Sequence, residues 1–210
     1  MTPSGFRLVP GRLDEPTQRA LTDEVLRLAE AAPFYRPITP GGKPMSVAMT
    51  NLGPLGWVTD VGGYRYQATH PESGRAWPPI PAMLFSLWAE LCDDATPPDC
   101  CLVNRYDAAA RMGLHRDADE ADFRFPVLSV SLGDTALFRL GGLRRSDPTA
   151  QIRLASGDVV VLAGDARRAY HGVDRIVAGS SRLIPDGGRL NLTLRRAGPA
   201  DSPILRASHF

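Results

Sequence analysis

Residues 114–120 read LHRDADE: one histidine, then acids at the second, fourth and fifth positions after it. In an extended or bulged strand end, His115 and Asp117 are two apart and point to the same side. That lets both hold one metal ion, with a third ligand arriving from elsewhere. Alone, such a pair is more often a solvated polar turn. The chain has 4 histidines, so candidates for the third ligand are few. His70 sits in the loop ATHPES, and His209 is the penultimate residue of the tail. His171, in DARRAYHGV, follows the strand-like DVVVLAG. Two histidines and one carboxylate form a facial set for Fe(II), with positions left open for a chelating co-substrate and O2. On its own His171 reads as a core or rim histidine, so a second signal has to decide.

That signal is RLNLTLR, residues 189–195. Strict alternation puts Arg189, Asn191, Thr193 and Arg195 on one face and Leu190, Leu192 and Leu194 on the other. The plain reading is an amphipathic strand with arginines in water. The sharper one turns the arginine face into a pocket, where two forked cations hold both carboxylates of a dicarboxylate co-substrate. Its position shortly after His171 favours the second.

These residues need elements to carry them. Residues 15–32 predict a helix: Leu21, Val25, Leu28 and Ala32 share a stripe, Asp14 is a candidate N-cap, and Pro16 falls in the first turn. A second helix is predicted over 81–92, with Leu84, Trp88 and Leu91 on one stripe. Between them, 36–80 is rich in Gly, Pro, Trp and Tyr, which suggests hairpins and ordered loops. From residue 100 the texture changes to short strands: CCLVNRY, PVLSVSL, TALFRL, DVVVLAG and RLNLTLR. Many short strands with Gly-containing connections predict a sandwich or jelly roll. The division expected is 1–98, helices and loops, before an all-β core over 99–210.

Composition sets outer limits. The 210 residues suit one domain with a lid or small subdomain. Hydrophobic residues at 43% and charged residues at 22% are typical of a globular chain. No apolar run approaches the ~20 residues a membrane helix needs, and the first residues lack a secretory pattern; a cytoplasmic protein without membrane contact is expected. Cys92, Cys100 and Cys101 form no spaced framework, so buried or half-buried thiols are expected rather than disulfides. A net charge of +1 neither invites nor excludes nucleic acid. Lys43 is the only lysine, which reads as an arginine bias and decides nothing.

The combined set resembles the AlkB family of Fe(II)/2-oxoglutarate-dependent nucleic-acid dealkylation enzymes. The resemblance runs through TPGGKPMSVAMTNLGPLGW (39–57), GYRY (63–66), CLVNRY (101–106), LHRDADE and VLSVSLG (127–133). It continues through GGLRRSDP (141–148), GDVVV (157–161), YHGV and RLNLTLR, so it covers about residues 39–196. It implies a mainly β (α+β) fold, a double-stranded β-helix or jelly-roll core with N-terminal helices and a nucleotide-recognition lid. It also implies that His115, Asp117 and His171 bind Fe(II), and that Asn104, Tyr106, Arg189, Asn191 and Arg195 position 2-oxoglutarate.

On the same resemblance, the co-substrate goes to succinate and CO2, and a methyl group on a base nitrogen leaves as formaldehyde. A base inside a duplex is out of reach, so single-stranded DNA is the expected partner, with RNA or flipped-out duplex DNA also open. The family pattern puts Trp57 and Tyr64 on the lid over the base, with Arg65 and Tyr66 beside them. It has Asp119 meet the exocyclic amino group and Arg145 help hold the substrate. Read without the family, Trp57 and Tyr64 are as readily hairpin packing, and Arg145 a solvated charge. A monomer is expected. Three departures would reshape the pocket wall: Leu190 for an aromatic, Gly188 for a small thiol residue, and LAG (162–164) for a Trp-containing segment. Two other functions compete: an oxygenase of this type acting on another substrate class, and a non-catalytic module binding single-stranded nucleic acid.

Overall fold

In the computed structural model, which describes residues 2–92 and 96–198, RLNLTLR forms one strand (Arg189–Arg195) whose two faces do different work. Leu190, Leu192 and Leu194 are fully buried in the main hydrophobic core. Arg189, Asn191, Thr193 and Arg195 line a cavity on the other face. With strands numbered along the chain, this is β12. Burying each leucine contributes roughly 1.5–3 kcal/mol, so the apolar row fixes which way the polar row faces.

The larger sheet has six strands, in the order β1 (Phe6–Val9), β10 (Val159–Leu162), β7 (Val127–Gly133), β12, β5 (Cys100–Tyr106), β2 (Ala48–Leu52). Neighbours pair antiparallel. The smaller sheet runs β6 (Met112–His115), β11 (His171–Val177), β8 (Thr135–Leu140), β9 (Ala150–Leu154). The cavity is lined from both sheets, so it lies between them as in a jelly roll. β1 and β2 precede residue 98 yet complete the larger sheet, so the N-terminal segment and the β core share it.

Two helices cover the outer, leucine-bearing face. α1 (Glu15–Ala31) starts where Asp14 accepts a hydrogen bond from the Thr17 N–H at 2.9 Å, with Pro16 in its first turn. It buries Leu21, Val25, Leu28 and Ala29. α2 (Ala82–Leu91) buries Leu84, Leu87, Trp88 and Leu91 in the same core. Both helices and the stripes expected of them are present.

The segment between them forms β2 and a separate hairpin, β3 (Gly56–Asp60) with β4 (Gly63–Gln67). Asn51, on β2, fixes it from behind: its side chain exchanges two 3.0 Å hydrogen bonds with the Trp57 backbone. Cys92, Cys100 and Cys101 are all buried. Among the described residues, no helix is long and apolar enough to cross a membrane. His209 and the rest of the C-terminal tail lie outside the described residues.

Candidate active site

β6 and β11 bring the two histidines together. His115, the last residue of β6, is the register partner of His171, the first of β11, and their ring centroids lie 4.6 Å apart. The close approach depends on Gly172: a Cβ there would sit 2.7 Å from the Met112 carbonyl oxygen and 2.9 Å from that of Gly113. The register shifts just beyond, between His171 and Val173, which turns the strand ends toward the cavity.

Asp117 completes the set. One ligand atom from each of His115, Asp117 and His171 falls within 4.8 Å of the others. His115 Nδ1 contacts the Gly113 carbonyl at 2.9 Å, and His171 Nδ1 the Ala169 carbonyl at 3.1 Å. A carbonyl only accepts, so each Nδ1 carries the hydrogen and each Nε2 keeps its lone pair for a metal. Burial, with His115 nearby, lowers the His171 pKa to about 4 and keeps the ring in its neutral, ligating form. Burial alone would raise the Asp117 carboxyl; Arg195 and the two histidines outweigh it and hold Asp117 well below the usual carboxylate range. Two imidazoles and a carboxylate with open coordination positions suit Fe(II).

The arginines of β12 are not equivalent. Arg195 Nη2 lies 2.9 Å from Asp117 Oδ2, and its Nε 3.1 Å from Glu120 Oε1. Arg189 is just as buried, but its ordinary partners are neutral: Ser131 Oγ at 2.7 Å, and the Asp134 and Leu154 carbonyls at 3.2 Å. Its Nε, like that of Arg195, has no hydrogen-bond partner among the described residues, and burial lowers its pKa to about 10, so the charge persists at neutral pH. A buried cation with no carboxylate partner among the described residues fits an anionic ligand. Asn104 and Asn191 are register partners beside it, and Asn104 Oδ1 is buried without a hydrogen-bond partner among the described residues. Tyr106, the partner of Arg189 in β5, also lines the cavity; burial raises its pKa to about 12, so the phenol stays neutral.

The cavity is about 680 Å³, with Trp57 and Tyr64 of the hairpin in its wall. Their rings stack, with centroids 5.7 Å apart and planes 21° from parallel. Trp57 Nε1 donates to Asp119 Oδ2 at 2.8 Å. Arg145 also lines the cavity; it donates to the Leu114 carbonyl at 2.7 Å and stands over the Tyr170 ring. Arg65 does not line it. Alternation along β4 sends Arg65 away from Tyr64, to an ion pair with Asp60 at 2.8 Å. Tyr66 also stands outside the lining, and its hydroxyl donates to Glu120 Oε1 at 2.7 Å.

Two of the three departures do not shape the wall. Leu190 faces the helices, on the opposite side of β12 from the cavity. Gly188 turns the chain into β12 with φ +86°, and a Cβ there would meet the Tyr106 carbonyl oxygen at 2.5 Å, so a thiol-bearing residue would not fit this turn. Only Leu162 of LAG reaches the cavity. Three residues not singled out from sequence belong to the site: Ser129, Ser131 and Arg167. The alternation in VLSVSL, with two small hydroxyls at every second position, was the available signal for the serines. Nothing local marks Arg167.

The profile of the 2OG-Fe(II) oxygenase superfamily matches residues 5–195. The chain is 63% identical, over 93% of its length and 89% of the relative's, to an alpha-ketoglutarate-dependent dioxygenase AlkB homolog of Caulobacter vibrioides. It is 44% identical, over 85% of its length and 84% of the relative's, to the alpha-ketoglutarate-dependent dioxygenase AlkB of Escherichia coli. The chain belongs to the AlkB family. The solved structure of OsALKBH1 superposes with a TM-score of 0.75 at 30% identity, covering 93% of this chain and 99% of that one. A Pseudomonas putida prolyl-4-hydroxylase, at 15% identity and a TM-score of 0.54, shares the fold. As an AlkB-family dioxygenase the chain uses Fe(II), 2-oxoglutarate and O2.

Proposed function

We propose that this AlkB-family protein repairs alkylated nucleic-acid bases of the 1-methyladenine and 3-methylcytosine type by oxidative demethylation. The observation that carries the reading is the aromatic pair in the wall of the cavity that also holds the candidate metal ligands: Trp57 and Tyr64 stack, and Trp57 is tied to Asp119, two residues beyond Asp117. An aromatic face with an exposed carboxylate beside it suits a flat base that bears an amino group. Bound Fe(II), with 2-oxoglutarate and O2, supplies the oxidation; the products are succinate, CO2, formaldehyde and the unmodified base.

In this reading His115, Asp117 and His171 hold the iron. Arg189 takes the distal carboxylate of 2-oxoglutarate, with Asn104, Tyr106 and Asn191 beside it, while Arg195 steadies Asp117 at the iron end. Trp57 and Tyr64 hold the base, Asp119 accepts from its amino group, and Arg145 guards the mouth. Tyr66 acts from beneath the lid and Arg65 by bracing the hairpin tip. Residues 1–98 supply helices and lid to the 99–210 core, as one catalytic unit. The partner is single-stranded DNA, with RNA or duplex DNA reached by flipping, and the protein works as a cytoplasmic monomer.

The test is an oligonucleotide with a single 3-methylcytosine, incubated with protein, Fe(II), ascorbate, 2-oxoglutarate and air, then weighed by mass spectrometry. Loss of one methyl group that depends on 2-oxoglutarate is expected. Succinate formed beside an unchanged oligonucleotide would discard the base substrate.

A further inference from the structure

Glu120 is a buried acid outside the candidate metal set of His115, Asp117 and His171. It is 7% exposed, and both of its oxygens are engaged. Oε2 pairs with Arg167 Nη2 at 2.8 Å. Oε1 accepts from the Tyr66 hydroxyl at 2.7 Å and lies 3.1 Å from Arg195 Nε. The two arginines then converge on one residue: Arg195 Nη2 is 2.9 Å from Asp117 Oδ2, and Arg167 Nη1 donates to the Asp117 carbonyl at 2.9 Å. Tyr66 belongs to β4, where its register partner is Trp57. One carboxylate therefore joins the lid hairpin, the last strand of the larger sheet and the turn before His171.

Two acids and two arginines, all almost fully enclosed, form a chain in which each charge depends on the next. Among the described residues, the Tyr66 hydroxyl is the link in it that belongs to the lid. Any displacement of the hairpin would take the Tyr66 donor from Glu120 Oε1 and leave that oxygen to Arg195, whose charge lies between Glu120 and Asp117. The position of the lid thus alters how Asp117 is held. We infer that Glu120 is a positioning residue that couples base capture by the lid to the alignment of the metal ligand Asp117, through Tyr66 and Arg195. This rests on the reading of the lid as a base site. Its consequence is that an occupied lid and a well-ordered metal site favour each other.

Such coupling is reciprocal: if a base in the lid tightens metal binding, metal tightens base binding by the same factor. The experiment measures Mn(II) binding without O2, by calorimetry, in the presence and absence of a 3-methylcytosine oligonucleotide. In the unaltered protein the oligonucleotide is expected to raise Mn(II) affinity at least about fivefold. In Tyr66→Phe, which keeps the ring and removes the hydroxyl, that factor should fall toward one. Glu120→Gln, which keeps the shape and removes the charge, should do the same and serves if the first variant folds poorly. An equal factor in the unaltered protein and both variants overturns the inference, as does the lack of any factor in the unaltered protein. Failure of the base reading itself looks different: the oligonucleotide would bind no better with 3-methylcytosine than with cytosine, and no formaldehyde would form.

Discussion

Gly172 and Met112 touch so closely that β11 has no room for a side chain there: a Cβ on Gly172 would stand 2.7 Å from the Met112 carbonyl oxygen. That contact sets the spacing of β6 and β11, and with it the 4.6 Å separation of the His115 and His171 rings. Gly172→Ala should leave the fold intact by circular dichroism but weaken Mn(II) binding by roughly 10–100-fold, the range typical of disturbed ligand support. Unchanged affinity would mean that the strands part without moving the histidines.

Arg189 offers a second test. Among the described residues its buried charge meets only neutral acceptors. Addition of 2-oxoglutarate at about 100 times its Kd should stabilise the metal-loaded protein by about 2.7 kcal/mol, read as a rise in Tm. Arg189→Met should abolish that rise. A shift that persists would place the distal carboxylate elsewhere.

Asp119 serves two partners in the proposed reading, the Trp57 indole and the amino group of the base. Asp119→Asn keeps an acceptor for Trp57 but offers the base a competing donor. The expected result is a loss of roughly tenfold in kcat/KM for 3-methylcytosine, about the cost of one poorly matched hydrogen bond. Succinate formation without nucleic acid should barely change. Equal losses in both would assign Asp119 to the metal site.

The paired thiols make a pH prediction. Burial pushes Cys100 up to about 12 and Cys101 higher still, whereas the unfolded chain ionises both near 8.5. Below that pH the thiols are neutral in both states and their burial costs nothing extra. As pH rises above it, the unfolded chain loses protons that the folded chain keeps, so stability falls. Each thiol should cost about 2 kcal/mol at pH 10. Thermal melts should show a smaller drop between pH 8 and 10 in Cys100→Ala/Cys101→Ala. Iodoacetamide at pH 8 should label neither thiol until denaturant is added; native labelling of either would refute the assignment.

Much of the frame was legible where period and burial agree. α1 announced itself by its stripe and cap, β5 by a β-rich run bounded by turn residues, and β12 by its alternation. β6 and β11 were hidden for a physical reason: β6 spans only four residues, and β11 opens on His171 and Gly172, residues that serve the site rather than strand propensity. β9 is an edge strand with mostly exposed residues, so it lacks a clear apolar alternation. Within the site, residue types pointed to the His-Asp-His cluster, and the parity of β12 brought its polar row to the cavity. The same parity rule, applied to GYRY, would have parted Arg65 from its tyrosine neighbours. What no local pattern could show is the Glu120–Arg167 pair, 47 residues apart, or that Arg195 leans on protein carboxylates while Arg189 has none among the described residues.

The two-faced β12 also limits how this gene can change. Point substitutions can be accepted on one row without disturbing the other, because leucines and polar residues answer to separate surroundings. Insertion or deletion of a single codon within Arg189–Arg195 has no such freedom. It would exchange the rows, driving guanidinium groups beneath the helices and leucines into the cavity, so both folding and chemistry would fail in one step. The hairpin β3–β4 pairs with neither large sheet. Length variation among descendants of this sequence should therefore collect in the hairpin and be absent from the strand.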